Sequence, residues 1–207
     1  METIISVDDV SFSYGSAPEP ALAHVSFNVH QGDFIGIIGP SGAGKSTLAA
    51  CLSGAVPHHY TGTFFGSVTV DGHDTCEVSL TDVSQIVGSV LQDIDTQMVA
   101  SVVEDEMLFG LENFGVPHDQ IEQRVSETLE TVGISDLRDR EIATLSGGQK
   151  QKVAIAAILA MRPRVLVLDE PTAALDPASS TLVFETLREA NRALGITIVV
   201  VEQKVAL

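Results

Sequence analysis

Hydrophobic residues recur along this chain with two periods, close to two and close to three and a half, and the switches between them predict the order of elements. Residues 4–12 and 22–29 suit strands, joined by the Pro/Gly-containing stretch 15–20. Residues 34–38 form a short apolar run of the kind that makes a buried parallel strand, and residues 47–52 can continue as a helix after the glycine-rich segment between them. Residues 67–70 read as a strand entering a tight turn at Asp71 and Gly72, and 86–91 as another short strand. Between Ser101 and Val132 the period lengthens. Ile121, Val125, Leu129 and Val132 recur at helical spacing, with Pro117 as a start signal, and residues 146–161 are again helical. Residues 165–168 and 196–201 are β-branched runs typical of parallel sheets. Residues 179–194 supply the crossover helix, stopped at Gly195. There is no internal repeat. The order predicts an α/β fold, a mixed sheet with helices on both faces and a mostly helical insertion around residues 93–160.

The glycine-rich segment carries the first chemistry. Gly39, Pro40, Ser41, Gly42, Ala43, Gly44, Lys45 and Ser46 stand in succession, between a predicted strand and a predicted helix. Two glycines with four residues between them and then Lys-Ser, in that context, make a phosphate-binding loop. Backbone N–H groups and the positive end of the helix turn toward phosphate oxygens. Lys45 adds a point charge for the β- and γ-phosphates, and the Ser46 hydroxyl can ligate Mg²⁺. A chance match in ~200 residues is roughly 1 %, so nucleoside triphosphate binding is expected.

Composition narrows the class. With 207 residues and 44 % hydrophobic content the chain suffices for one α/β domain with a full core. Its net charge of −17, from 28 acidic against 11 basic residues, repels phosphate backbones, so nucleic acid is not an expected partner. Cys51 and Cys76 make no metal cluster or disulfide framework and suit a reducing cytoplasm. The start of the chain lacks a basic signal-like region, and the longest apolar runs reach about half of a membrane span. A membrane role is therefore expected only through docking to partners.

Residues 165–170 form an apolar strand ending in Asp169 and Glu170. Alone this would be a solvated strand end. Beside a phosphate loop it becomes a Mg²⁺-holding aspartate and a glutamate that orients or polarises water. Leu145, Ser146, Gly147, Gly148 and Gln149 then read as a capped helix start whose glycines let backbone approach an anion.

These residues resemble the signature of the ATP-binding cassette (ABC) ATPases, in the family's order and over nearly the whole chain. The resemblance implies a P-loop NTPase core, mixed sheet and helical subdomain, in one domain spanning 1–207, with the signature subdomain at about 93–160. It assigns Tyr14 to stacking on adenine, residues 39–47 including Thr47 to the phosphate loop, and Gln92 to a hinge loop touching Mg²⁺ or water. Ser146 to Gln149 would be the signature and Asp176 part of the loop crossing a dimer interface, both completing a partner's site. Expected cofactors are ATP and Mg²⁺, with Ser46, Gln92 and Asp169 toward the metal. Expected partners are a second ABC ATPase subunit and transmembrane transporter subunits, on the cytoplasmic face of the cell membrane. The segment around Gln92, Val103 to Glu106 and Phe109 to Asn113 is similar to energy-coupling factor (ECF) ATPases, which import vitamins and metal ions. It departs at Asp93 and Ile94, where that group more often has Asn and Pro.

Two departures qualify the expectation. Gln203 stands where the family places a switch histidine, and an amide can donate to phosphate but cannot become cationic. The chain also ends at Leu207, C-terminally short of the family's usual extent. Two functions remain open: an ATP-hydrolysing transporter subunit using Glu170 and Gln203, or a non-hydrolysing partner that lends its signature to a competent paralogue. Soluble ABC proteins of repair or translation lack support, because neither heptad insertions nor a basic linker is present.

Overall fold

The computed structural model describes residues 2–15 and 17–203; the chain end at Leu207, on which the expectation of a short form turned, lies outside them. The strands are β1 (Thr3–Tyr14), β2 (Leu22–His30), β3 (Phe34–Ile38), β4 (Gly62–Val70), β5 (His73–Asp74), β6 (Val87–Val90), β7 (Val165–Asp169) and β8 (Thr197–Glu202). The helices are α1 (Lys45–Leu52), α2 (Ala55–His58), α3 (Leu80–Ile86), α4 (Ile94–Gln97), α5 (Val103–Asn113), α6 (His118–Val132), α7 (Gly147–Ala160) and α8 (Pro177–Leu194). The two strand orientations are divided between two sheets. One is antiparallel, in the order β2-β1-β4-β5, and the other parallel, in the order β3-β8-β7-β6.

Alternation along the parallel strands divides the interior into two cores. Val165, Val167, Val199 and Val201 face one side, with α1 and the inner residues of β1 and β4. Leu166, Leu168, Ile198 and Val200 face the other, with α5, α6, α7 and α8. Both faces of β7 and β8 are thus buried, which is why these strands read as continuous apolar runs rather than alternating ones. Helices cover both faces, as the sequence predicts.

In β1 the inward residues are Ile5, Val7, Val10 and Phe12, a phase that slips by one between Val7 and Val10. The slip is a bulge at Asp9, where φ is +50° and the pairing registers with β2 and β4 both shift. The extra residue keeps Val10 and Phe12 on the core face, which a regular strand would have turned outward.

Between β6 and β7 the chain runs through α4, α5, α6 and α7. Helix α6 buries Ile121, Val125, Leu129 and Val132 and ends at Gly133 with φ +70°. Helix α7 is buried on most sides because α5, α6, α8 and β6 surround it, so its apolar residues form no single stripe. No helix among the described residues is long and apolar enough to cross a membrane.

Candidate functional site

The carboxyl ends of β3, β7 and β8 lie side by side, because Asp169 pairs with Val201 and Ile38 with Glu202. The loops leaving this edge carry the glycine-rich segment, Glu170 and Gln203. Ligands in open α/β sheets bind outside this edge.

After β3 the loop turns through Gly42 (φ +79°) and Gly44 (φ +87°) into α1. Gly44 is needed on two counts: an L-residue is strained at that φ, and a Cβ would run into the Ala21 carbonyl and meet the Leu22 side chain at 3.0 Å. The Ala43 amide donates to Pro40 O (3.3 Å), and Ser41, Gly42 and Ala43 face solvent. The leading N–H groups of α1 have no intrahelical acceptors, so this end presents donors beside the loop. The Lys45 ammonium folds back under the loop, donating to Pro40 O at 3.0 Å, and is buried.

Glu170 is where the edge converges. Its φ of +48° is unusual for a non-glycine residue, and its amide donates to Val201 O at 2.8 Å. This turn ends β7 and carries the side chain back toward the loop, a local strain of the sort kept at functional sites. Glu170 Oε2 accepts from the Gln92 amide (3.3 Å) and from the Gln203 amide (3.2 Å). Its Oε1 lies 3.7 Å from Lys45 Nζ. Three groups from three distant segments therefore hold one buried carboxylate. Asp169 accepts from the Ser46 hydroxyl at 3.1 Å. Burial, and then the neighbouring Glu170, raise the Asp169 carboxyl above the ordinary aspartate range, against the opposing Ser46 hydrogen bond and Lys45 charge.

The Ser46 hydroxyl and Asp169 carboxylate offer adjacent hard oxygen donors at the loop's edge. Mg²⁺ typically takes only one or two protein ligands beside substrate phosphates, so these residues fit it. A cation there would also offset the cost of the partly buried Asp169 charge. Gln92, also expected toward the metal, is held beside this pair through its side-chain nitrogen, which donates to Glu170 Oε2.

Tyr14, at the end of β1, is tied to α1 by a 3.0 Å hydrogen bond with the Thr47 hydroxyl. Thr47, expected to serve the phosphate loop, is thereby a tether for the Tyr14 ring.

The other motifs gather elsewhere. Ser146 and Gln149 form a reciprocal capping box at the start of α7. Asp176 caps α8 through the Ala178 and Ser179 amides; the Ser179 hydroxyl first, and then these amides, hold its carboxyl below the usual range. Gly147 and Gly148 let these two helix starts approach: a Cβ at Gly147 would meet the Leu175 side chain and one at Gly148 the Ser179 side chain, each at 3.2 Å. Among the described residues no hydrogen bond joins Ser146 to Gln149 or Asp176 to the phosphate loop. The chain thus presents two separate surfaces, loop with Glu170, and signature with Asp176.

Sequence reasoning missed two groups. Glu202 is buried and binds the Thr172 hydroxyl (2.6 Å) and amide (3.2 Å), fixing the segment after Glu170; burial raises its carboxyl above the ordinary range. An acidic residue closing an apolar strand was the available signal. Tyr60, on the turn after α2, stands against Tyr14.

Known proteins resemble this chain over most of its length. The ABC transporter family pattern matches residues 22–173. A "Putative ABC transporter ATP-binding protein" of Streptomyces avermitilis is 45 % identical over 97 % of this chain, which spans only 36 % of that relative's length. The "Energy-coupling factor transporter ATP-binding protein EcfA1" of Enterococcus faecalis is 41 % identical, covering 96 % of this chain and 70 % of its own. The solved structure of cbiO1 from Clostridium perfringens, described as part of the ABC transporter complex cbiONQ, superposes with a TM-score of 0.89 at 33 % identity, over 99 % of this chain and 80 % of that one.

Proposed function

The chain belongs to the ABC transporter family, and on that premise we propose that it is an ATP-binding subunit of the energy-coupling-factor type, driving import of a vitamin or metal ion by ATP binding and hydrolysis. The observation that carries the reading is the convergence of Lys45, Gln92 and Gln203 on Glu170, beside the Ser46–Asp169 pair. The loop amides and Lys45 would hold the phosphates. Glu170, fixed in direction by two amides, would orient a water and accept its proton. Mg²⁺, held by Ser46 and Asp169 with the phosphates, would supply charge neutralisation. Tyr14 would carry the adenine.

Residues 1–207 serve in this reading as one cassette, with residues of about 93–160 as its signature subdomain. A second ATPase subunit pairs head to tail, and Ser146 to Gln149 with Asp176 complete that partner's site. Their separation from this chain's own phosphate loop supports the pairing, since they have no local role in it. Gln92 moves with the segment that follows it, so changes at Glu170 can reach membrane subunits docked nearby, at the cytoplasmic face. The similarity to EcfA1 and to cbiO1 supports the ECF type.

A second reading rests on Gln203. An amide at this position cannot carry a charge to the transferring phosphoryl group, so the chain could clamp ATP and leave hydrolysis to a competent partner. Fluorescent-ATP binding and phosphate release by the purified chain test both. Lys45→Ala is expected to weaken nucleotide binding at least ~10-fold, and Glu170→Gln to bind normally while losing ~10²-fold or more of turnover. Binding unaffected by Lys45→Ala would remove the nucleotide site from this loop. Native turnover at the Glu170→Gln level would select the non-hydrolysing reading.

A further inference from the structure

Four aromatic rings run from the core to the rim of the phosphate loop. Phe12 and Tyr14 meet edge to face with centroids 4.8 Å apart, Tyr14 and Tyr60 at 6.2 Å, and Tyr60 and His59 at 4.7 Å. The first ring is buried, but Tyr14 is 38 % and Tyr60 47 % exposed. A tyrosine left in water beside another forgoes the burial that usually accounts for aromatic side chains.

The placement is built into the backbone. Tyr14 pairs with Gly62 across β1 and β4. A Cβ at Gly62 would strike the Ser13 carbonyl and lie 2.7 Å from the Phe12 ring, so only glycine lets β4 start this close to β1. The turn two residues earlier is pinned as well, because the His59 and Tyr60 amides both donate to Ala55 O at 2.8 Å. Tyr60 is thereby brought over Tyr14, whose hydroxyl is fastened to Thr47, next to Ser46.

We propose that Tyr60 is a base-contacting residue, forming with Tyr14 an aromatic corner that receives the purine of a bound nucleoside triphosphate. The proposal rests on the nucleotide-binding reading above and adds to it a second wall and a preference. A purine's two fused rings reach both tyrosines, whereas a pyrimidine on Tyr14 leaves Tyr60 uncovered. Tyr60 therefore selects ATP and GTP over CTP and UTP, and does nothing for the phosphates.

That last point separates a base contact from a structural role. The test is displacement of a fluorescent ATP analogue from the full chain and from Tyr60→Ala and Tyr60→Phe, by ATP, CTP and inorganic tripolyphosphate. Tyr60→Ala is expected to weaken ATP about 3- to 10-fold, to weaken CTP much less, and to leave tripolyphosphate unchanged, while Tyr60→Phe keeps native affinity. The chain supplies its own second readout, since Tyr14 and Tyr60 are its two tyrosines and it has no tryptophan. In Tyr14→Phe all tyrosine emission comes from Tyr60, and saturating ATP should quench it where tripolyphosphate does not. If Tyr60→Ala binds ATP as the native chain does, or loses ATP and tripolyphosphate equally, the base contact is overturned. If the native chain binds neither, the nucleotide-binding reading itself has failed.

Discussion

Gln203→His would restore a cation-capable ring where this chain has a neutral amide. Gln203 Nε2 stands 3.2 Å from Glu170 Oε2, and Lys45 Nζ is 3.7 Å from the other carboxylate oxygen. An imidazole in that place has a carboxylate neighbour, which favours its charged form and moves its titration upward from the ordinary value of about 6.5. A unit charge ~4 Å from a phosphoryl oxygen interacts by ~4 kcal/mol at an effective dielectric of ~20. Only the charge that develops during transfer counts toward rate, so roughly half of this, ~2 kcal/mol, is the gain to expect, or about 30-fold. Steady-state phosphate release between pH 6 and 9 measures it, with fluorescent-ATP affinity as the check on folding. The expected result is kcat raised ~10- to 100-fold with little change in nucleotide affinity. The gain should fade as pH rises through the imidazole's titration, a limb the native chain lacks. Equal rates for both chains across that range would refute the reasoning, because residue 203 would then contribute nothing electrostatic to the step.

Gly62→Ala should destabilise the fold by ~3 kcal/mol, lowering Tm by about 6–12 °C for a domain this size, while Gly36→Ala, whose Cβ meets nothing within 4 Å, stays within ~0.5 kcal/mol; thermal melts of the two decide whether the β1–β4 approach is as tight as described. Glu202→Gln keeps an acceptor for Thr172 but removes a buried charge. Since the folded Glu202 carboxyl titrates above the unfolded one, the native chain holds its full stability below the ordinary glutamate range and loses this part as pH rises through the folded value; urea titrations should therefore find the variant the more stable at pH 7.5 and equal at pH 3.5. Burial pushes Cys51 up to about 12 and Cys76 up to about 11, so an aromatic disulfide reagent at pH 8 should label neither quickly until urea is added; fast labelling of native Cys51 would contradict its place in the core.

What the sequence made legible was short in range. The strand at residues 34–38, the turn at Gly42 and Gly44, and the stripe of Ile121, Val125 and Leu129 depend on neighbours within one turn or strand, and the structure has them where the periodicities put them. The bulge at Asp9 was invisible, because an apolar pattern slipping by one reads the same as an imperfect strand. The division into two sheets was likewise hidden, since it depends on which strands meet rather than on what each contains. The junction at Glu170 is the extreme case: its amide partners lie 78 and 33 residues away along the chain. Resemblance named those residues, yet no local pattern says that both amides share one carboxylate oxygen. The strand order does, by setting β8 between β3 and β7 so that residues following each strand emerge on one edge. The same register gives successive residues opposite tasks, Glu202 holding Thr172 and Gln203 holding Glu170 itself. A slip of one residue that carried Glu202 into the place of Gln203 would set a second carboxylate against Glu170 and bring Val201, which cannot accept a hydrogen bond through its side chain, to Thr172. Register, then, and not the identity of position 203 alone, decides whether this edge holds Glu170 with two amide donors on one carboxylate oxygen.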